Sequence, residues 1–261
     1  GDILPTFEEY HNRMDSQNLV QYIPDSEGFK YTADDIKSFF LGKDIDTLLL
    51  INPDNPSGNY IPFNELFGLI EWTKENHLKF VVDESFVDFA SVEGRCSLLD
   101  NDILENNPHL VIVKSISKSY GVPGLRLGVL ASGDTEMIAK LKKGVAIWNI
   151  NSLGEFYMQI YEKYHKDYDK ACVKFREERE IFYNELKEIP FLEVYPSQGN
   201  YFLCRVKREY TSHELALKLL KRNILIKDCG TKKAFNGGNY IRLAVRNRKD
   251  NSYLIETLKH L

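Results

Sequence analysis

No apolar run in this sequence reaches the roughly 18 residues that a membrane-spanning helix needs; the longest, such as residues 48–51 (LLLI), are strand-sized. Cysteine is scarce. The four residues Cys96, Cys172, Cys204 and Cys229 form no C-x-x-C pair and no Cys/His cluster. That spacing excludes the usual structural zinc patterns, and a disulfide framework is out of place in so long a chain, so a reduced, cytoplasmic protein is expected. An excess of basic charge is also lacking: 34 Lys+Arg stand against 38 Asp+Glu, a net −4 with neutral histidines. This balance argues against nucleic-acid and membrane partners. The six histidines (His11, His77, His109, His165, His213, His260) are scattered without acidic neighbours at ligand spacing, so no metal site is expected. Repeats, low-complexity tracts and Gly/Ser linkers are absent. The first ten residues have no basic-then-apolar signal pattern, and Gly1 without an initiator Met is read as a processed or trimmed start.

What is present is an ordinary folding composition, 43% hydrophobic and 28% charged over 261 residues, enough for one large domain or two small ones. In the first part, short apolar runs alternate with amphipathic stretches. Residues 45–51 (IDTLLLI) read as a buried strand followed by the turn-rich NPDNPSG. A helix opened by Pro62 then places Phe63, Leu66, Phe67 and Ile70 on one face. Residues 79–82 (KFVV) and 109–113 (HLVIV) are further strands. Strand–helix–strand spacing of this kind implies parallel pairing in a three-layer, mainly parallel α/β unit. Past Trp148 the texture changes: residues 152–188 read as mostly helical. Strands are expected at 192–195, 201–206, 224–227 and 240–245, with a helix capped by the Thr211-x-x-Glu214 box and a last helix ending at Leu261. The expected division is a unit of residues 1–150 and a smaller C-terminal α/β unit of 151–261, with the boundary inside a helical region.

Three polar motifs follow the three strands. Asn52-Pro53-Asp54-Asn55-Pro56-Ser57-Gly58 follows the first, Asp83-Glu84 ends the second, and Ser115-Ile116-Ser117-Lys118 follows the third. Each alone reads as a common feature: a turn, a helix cap, a solvated loop. Ligands of open parallel sheets, however, sit outside the carboxyl ends of the strands. An amide, an acid, an amine and hydroxyls therefore converge on one crevice.

The chain resembles fold-type I pyridoxal-phosphate enzymes of the class I/II aminotransferase group, in particular histidinol-phosphate aminotransferase and threonine-phosphate decarboxylase. The likeness is carried by PTFEEY (residues 5–10), NPDNPSG (52–58), VVDESFVDF (81–89), SISKSYGVPGLRLG (115–128), WNINSL (148–153), YPSQGNYFL (195–203) and YIRLAVR (240–246). It implies pyridoxal 5'-phosphate as cofactor. It also implies Lys118 as the residue that joins the cofactor aldehyde and shuttles the proton, and Asp83 as the partner of the pyridine nitrogen, keeping it protonated. Asn55 is placed at the ring's phenolic oxygen and Phe7 on the ring face. Ser115, Ser117 and Arg126 are placed at the cofactor phosphate, and Arg242 at the acidic group of the substrate. Lys227 stands where the histidinol-phosphate enzymes usually carry Arg, exchanging a planar fork for a point charge. The family's segment before PTFEEY, which supplies part of the phosphate cup and a tyrosine for the partner subunit, is not in the sequence. A fragment, a shortened relative and part of a longer protein are all compatible with that, and a sheet without that segment would expose an edge.

The function implied is a histidinol-phosphate-type aminotransferase that moves an amino group between a small acidic or phosphorylated amine and a 2-oxo acid, as a homodimer. Decarboxylation of a phosphorylated amino acid, or a non-catalytic remnant, is the alternative. Other features read as structural. Tyr157, Tyr161 and Tyr164 at helical spacing are expected in a core or interface, Trp148 in a core, and the run 176–179 on a solvated helix face.

Phe86 lacks the hydroxyl that family aminotransferases commonly place at the ring oxygen. The cofactor-loaded protein is therefore expected to titrate spectroscopically at a higher pH than its Phe86→Tyr variant. Identical titration midpoints for the two proteins would refute this.

Overall fold

The computed structural model of the chain describes every residue except 92, 93, 95 and 208. Its first part carries strands β1 (Asp2–Ile3), β2 (Gln21–Tyr22), β3 (Thr47–Ile51), β4 (Lys79–Asp83), β5 (Leu110–Ser115) and β6 (Gly128–Ser132). Helices α1 (Glu8–Asn12), α2 (Ala33–Phe40), α3 (Phe63–Glu75), α4 (Asn101–Asn106) and α5 (Thr135–Gly144) alternate with them. Strands β3, β4 and β5 pair in parallel, with Leu48 opposite Phe80 and Phe80 opposite Leu110. Their side chains alternate between faces. Leu48, Leu50, Phe80, Val82, Leu110 and Ile112 are all fully buried, packed with Ile36 and Phe40 of α2 and Leu66, Leu69 and Ile70 of α3. Strand β6 runs antiparallel to β5 at the end of this sheet, which the spacing did not foretell. On the other flank the parallel β1–β2 pair approaches β3, where Leu49 N–H donates to Gly1 O at 2.9 Å. This is an α/β architecture with a mainly parallel sheet.

Helix α2 begins at a local cap. Thr32 and Asp35 form a reciprocal capping box, satisfying two orphan N–H groups at once. Helix α3 follows Pro62, but its buried face is Leu66, Leu69, Ile70 and Thr73. Phe67, expected inside, is 36% exposed. The stripe is rotated by the row of small and aliphatic residues that fits against α2 and the sheet.

The second part comprises α6 (Ser152–Ile160), α7 (His165–Lys187), β7 (Leu192–Val194), β8 (Tyr201–Val206), α8 (Ser212–Leu220), β9 (Lys227–Asp228), β10 (Tyr240–Ala244) and α9 (Arg248–Lys259). The sheet order is β7-β8-β10-β9, all antiparallel. A second core gathers Phe182 and Leu186 of α7, Leu215 and Leu219 of α8, Leu254, Ile255 and Leu258 of α9, and Phe202, Cys204, Ile241 and Leu243 of the sheet. The Thr211–Glu214 capping box is formed. The strand expected at 224–227 shrinks to Lys227–Asp228, because Leu225 is exposed while Ile224 and Ile226 pack on the core. All four cysteines are free.

Two further expectations are corrected. Residues 145–151, between α5 and α6, are not helical. Trp148 is 91% exposed and lies with exposed Ile147, Leu153 and Phe156 on one surface stretch. Of the three tyrosines, Tyr164 is exposed, and Tyr161 is half-buried with its hydroxyl donating to Tyr120 Oη at 3.1 Å.

The run 176–179 is not simply a solvated face. Arg179 is buried, and its guanidinium donates to Phe89 O, Gly199 O, Ser91 Oγ and Gln198 Oε1 at 2.8–3.0 Å. Burial pulls its pKa down to about 10. One cation thus ties α7 to loops of both parts of the chain through neutral acceptors. Arg179→Leu would leave these acceptors without donors and is expected to destabilise the protein by at least about 3 kcal/mol. The loss is read from the urea unfolding midpoint, with Arg179→Lys recovering only part of it.

Candidate active site

The carboxyl ends of β3, β4 and β5 meet at one place because their register is continuous: Ile51 lies opposite Asp83, and Asp83 opposite Val113. Asp83 is 7% exposed. Its Oδ1 accepts the Ser85 N–H at 2.8 Å and its Oδ2 accepts the Tyr10 hydroxyl at 2.7 Å. No cation pairs with it among the described residues. Asp83 therefore caps no helix; it fixes a tight turn at the strand end. Burial, reinforced by the neighbouring Asp83 charge, pushes the Tyr10 hydroxyl well above its usual range, so Tyr10 remains a donor.

From this turn a relay of hydrogen bonds reaches the SISK segment. Ser85 Oγ accepts the Ser115 N–H at 3.0 Å, and Ser115 Oγ accepts the Ser117 N–H at 3.3 Å. Ile116 N–H donates to Leu127 O at 3.2 Å, which seats the Arg126 strand entry beside the same turn. Lys118 is exposed, and its amine has no hydrogen bond or ion pair among the described residues. Arg126 adopts a left-handed backbone (φ 57°), and among the described residues its side chain donates only to Pro123 O, at 3.1 Å. The turn is braced from behind by Asp88, whose carboxylate accepts Lys114 Nζ and Ser119 Oγ, each at 2.7 Å. Asp88 thus clamps the residue next to Lys118 to the strand before it.

The 52–58 turn builds the other wall. Gly58 has φ 75°, and a Cβ there would meet Ser197 Oγ at 2.1 Å, so only glycine fits. Buried Asn55 accepts Arg242 Nη1 at 2.6 Å. The Arg242 guanidinium lies 5.2 Å from the Tyr201 ring centroid, a cation–π contact. The Tyr201 hydroxyl donates to Asp54 O at 2.7 Å, and Phe86 packs edge-on against the Tyr201 ring at 5.2 Å. Lys227 is directly opposite Arg242 in the β9–β10 pair, so the two cations share a face. Phe7 precedes α1, is 47% exposed, and meets Tyr10 edge-on at 6.2 Å.

The structure thus groups Asp83, Ser115 and Ser117 at one strand-end cluster and Asn55, Phe86 and Arg242 around Tyr201. Lys118 and Arg126 are on the exposed turns that follow, Lys227 is on the sheet face of Arg242, and Phe7 is beside Tyr10. A cavity of about 300 Å3 near Gly58, Arg179 and Ser197 is lined by none of these residues. Tyr10, Asp88 and Tyr201 were missed as individual site residues. All three lie within quoted motifs, and Tyr10 follows Phe7 by three residues, a helical turn that could have signalled a second ring beside the first.

Over residues 5–258 the sequence matches the family described as aminotransferase class I and II. The chain belongs to that family. Its enzymes are pyridoxal-phosphate-dependent. The chain is 29% identical to the CMP-5'-(3-aminopropyl)phosphonate synthase of Streptomyces rubellomurinus, covering 99% of this chain and 41% of that protein. It is 30% identical to the L-serine phosphate decarboxylase of Sulfurospirillum multivorans, covering 99% of this chain and 67% of that protein. The structure of the histidinol-phosphate aminotransferase from Clostridium acetobutylicum superposes with a TM-score of 0.87 at 25% identity, covering 99% of this chain and 76% of that one. A threonine-phosphate decarboxylase also matches, as the motifs led us to expect. The chain spans about two-fifths to two-thirds of the length of these curated relatives.

The donor set fits the family's cofactor. Among the described residues, a buried carboxylate without a cation suits a protonated ring nitrogen, an unpaired amine suits an aldehyde, and two serines at the adjoining strand end, with an arginine on a following turn, suit a phosphate.

Burial lifts the carboxyl of Asp54, inside the same turn, to about 7, with the Ser57 hydrogen bonds partly offsetting the rise. The folded state then binds more protons than the unfolded one between about pH 4 and pH 7, so stability falls as pH rises through that window. Chemical denaturation at pH 5 and pH 7.5 is expected to show this loss, and Asp54→Asn to flatten it.

Proposed function

We propose that the chain carries the catalytic core of a pyridoxal-phosphate-dependent enzyme acting at the α-carbon of a small amino compound that bears a phosphoryl group. The observation that carries this reading is the buried, cation-free Asp83 carboxylate, joined by hydrogen bonds through Ser85 and Ser115 to the turn that presents the unpaired Lys118 amine. When bound, pyridoxal 5'-phosphate supplies an aldehyde that captures an amine and an electron-poor ring that accepts the electron pair left at carbon.

The protein does the rest. Asp83 holds the proton on the ring nitrogen, and Tyr10 holds Asp83. Ser115, Ser117 and Arg126 bind the cofactor phosphate, Asn55 the ring oxygen, and Phe7 and Phe86 bound the ring. Lys118 Nζ carries the proton to and from the reacting carbon. Arg242, with Lys227 on the same sheet face, orients the acidic end of the substrate. In this reading residues 1–150 form the cofactor-binding unit and 151–261 the smaller unit, and the assembly is a homodimer.

Two reactions share this machinery. Decarboxylation is favoured by Phe86, which lacks the hydroxyl common in the aminotransferases, and by the likeness to a protein named as an L-serine phosphate decarboxylase. Transamination with a 2-oxo acid is favoured by the close superposition on a histidinol-phosphate aminotransferase.

Protein loaded with pyridoxal 5'-phosphate is expected to show a near-visible band that Lys118→Ala abolishes. With O-phospho-L-serine it is expected to release carbon dioxide; consumption of a 2-oxo acid without carbon dioxide would select transamination instead. A protein that stays colourless with added cofactor would overturn the enzyme reading in favour of a non-catalytic remnant.

A further inference from the structure

The loop between β9 and β10 is pinned by a lysine that the motifs do not single out. Lys232 Nζ stands 3.0 Å from Glu8 Oε2 and donates to Thr6 O at 3.3 Å. Its side chain is only 10% exposed, whereas that of Glu8 is 41% exposed. The loop is locally rigid around it: Lys232 N–H donates to Cys229 O at 2.9 Å, and Lys232 O accepts the Phe235 N–H at 3.2 Å. Phe235 in turn packs edge-on against Phe29 at 5.0 Å.

The surroundings of this ammonium triangulate its position. Its acceptors, Thr6 and Glu8, flank Phe7 in the segment that also presents Tyr10 to Asp83. Its charge acts on Asp54, the neighbour of the Asn55 that holds Arg242. The charges of Lys232, Arg242 and Lys227 all act on the thiol of Cys229. Lys232 therefore lies against the Phe7–Tyr10 segment, on the loop that joins the strands carrying Lys227 and Arg242.

The two partners of the ion pair are unequal. An ammonium so deeply covered needs an anion, because burial strips its hydration. The carboxylate it has found is replaceable: it belongs to the first residue of a five-residue helix, is 41% exposed, and can swing into water. A phosphoryl group near neutral pH carries close to two negative charges and three acceptor oxygens. It out-competes a single carboxylate for the same cation.

We propose that Lys232 binds the phosphoryl group of the substrate and that Glu8 is the carboxylate this group displaces. The inference rests on the reading of a phosphorylated substrate given above and adds which side chain recognises that group, leaving Arg242 and Lys227 for the carboxylate.

The test is calorimetric titration of the cofactor-loaded protein, made non-turning-over by Lys118→Ala, with O-phospho-L-serine, L-serine and inorganic phosphate. Adding Lys232→Ala is expected to weaken O-phospho-L-serine by roughly 10- to 100-fold, the loss of one charge-assisted contact, with L-serine unchanged and Lys232→Arg partly restoring affinity. Adding Glu8→Gln removes the competitor and is expected to tighten O-phospho-L-serine several-fold (about 3- to 10-fold); this variant decides the matter if Lys232→Ala does not fold. Equal binding of O-phospho-L-serine with and without Lys232→Ala, equal losses for L-serine and its phosphate ester, or weakening by Glu8→Gln would each overturn the assignment. So would inorganic phosphate binding as tightly as the ester, since that marks a simple ion site. If the parent protein takes up cofactor but no phosphate ester, the phosphorylated-substrate reading itself fails, an outcome distinct from failure of Lys232 alone.

Discussion

A carboxylate sunk at the end of a central strand, with no cation to answer it among the described residues, is the constraint around which this molecule is arranged. Asp83 accepts two hydrogen bonds, a local one from the Ser85 amide and one from the Tyr10 hydroxyl, 73 positions away in sequence. The amide comes from the turn that a strand must make on leaving the sheet. The hydroxyl comes from a helix of only five residues, held beside β4 by the small β1–β2 pair. The arrangement makes sense where a protonated heterocycle completes it. The parallel register then does the remaining positioning. Because β3, β4 and β5 end level with one another, an asparagine turn, an acid and an amine-bearing turn arrive together without any long loop having to be ordered.

The second part of the chain is bound to the first by small apolar clusters and by polar contacts. The two main hydrophobic clusters are distinct; Phe86 and Phe89 pack with Tyr201 and Phe175, and Phe29 packs with Tyr195 and Phe235, across the joint, and the polar bridges include Arg179 to the 89–91 and 197–199 loops, Tyr201 to Asp54, Arg242 to Asn55, and Lys232 to Glu8. Most of these involve a cation or a directional hydroxyl meeting a turn, so they fix orientation at little cost in buried apolar area. Three of the four touch residues of the site or their immediate neighbours. The joint between the parts and the place where a substrate would be gripped are therefore largely the same set of contacts.

Much of this was legible in the sequence, for reasons that differ from residue to residue. The strands at 47–51, 79–83 and 110–115 are short, apolar and rich in branched side chains, and strands buried on both faces look like that. The capping boxes at Thr32 and Thr211 are local, and locality is what a sequence displays best; the second was read beforehand, the first was not. The motif residues Asn55, Asp83 and Lys118 could be assigned to one end of a sheet because strand ends are topologically equivalent. The failures are tertiary. Arg179 has the sequence surroundings of a solvated helix, and only the loops that arrive from elsewhere in the chain supply its four acceptors. Phe67 lies on the right helical stripe but one step outside the packed arc. Trp148 is apolar enough for a core yet sits in a non-helical crossing with nothing behind it. Lys232 and Glu8 are 224 positions apart in number and carry no joint signal at all.

The contact between Asn55 and Arg242 spans 187 residues, and that between Tyr201 and Asp54 spans 147. The first closure cannot precede the synthesis of β10 and the second cannot precede that of β8, whereas the β3–β4–β5 register and the Asp83 turn join strands closer in sequence and can form early. On a ribosome the strand-end turns that would hold a cofactor can form while the wall that would select a substrate is still unmade. Ligand capture during biogenesis would then follow a fixed order in time, heterocycle before amino compound, dictated by nothing more than where Arg242 falls along the polymer.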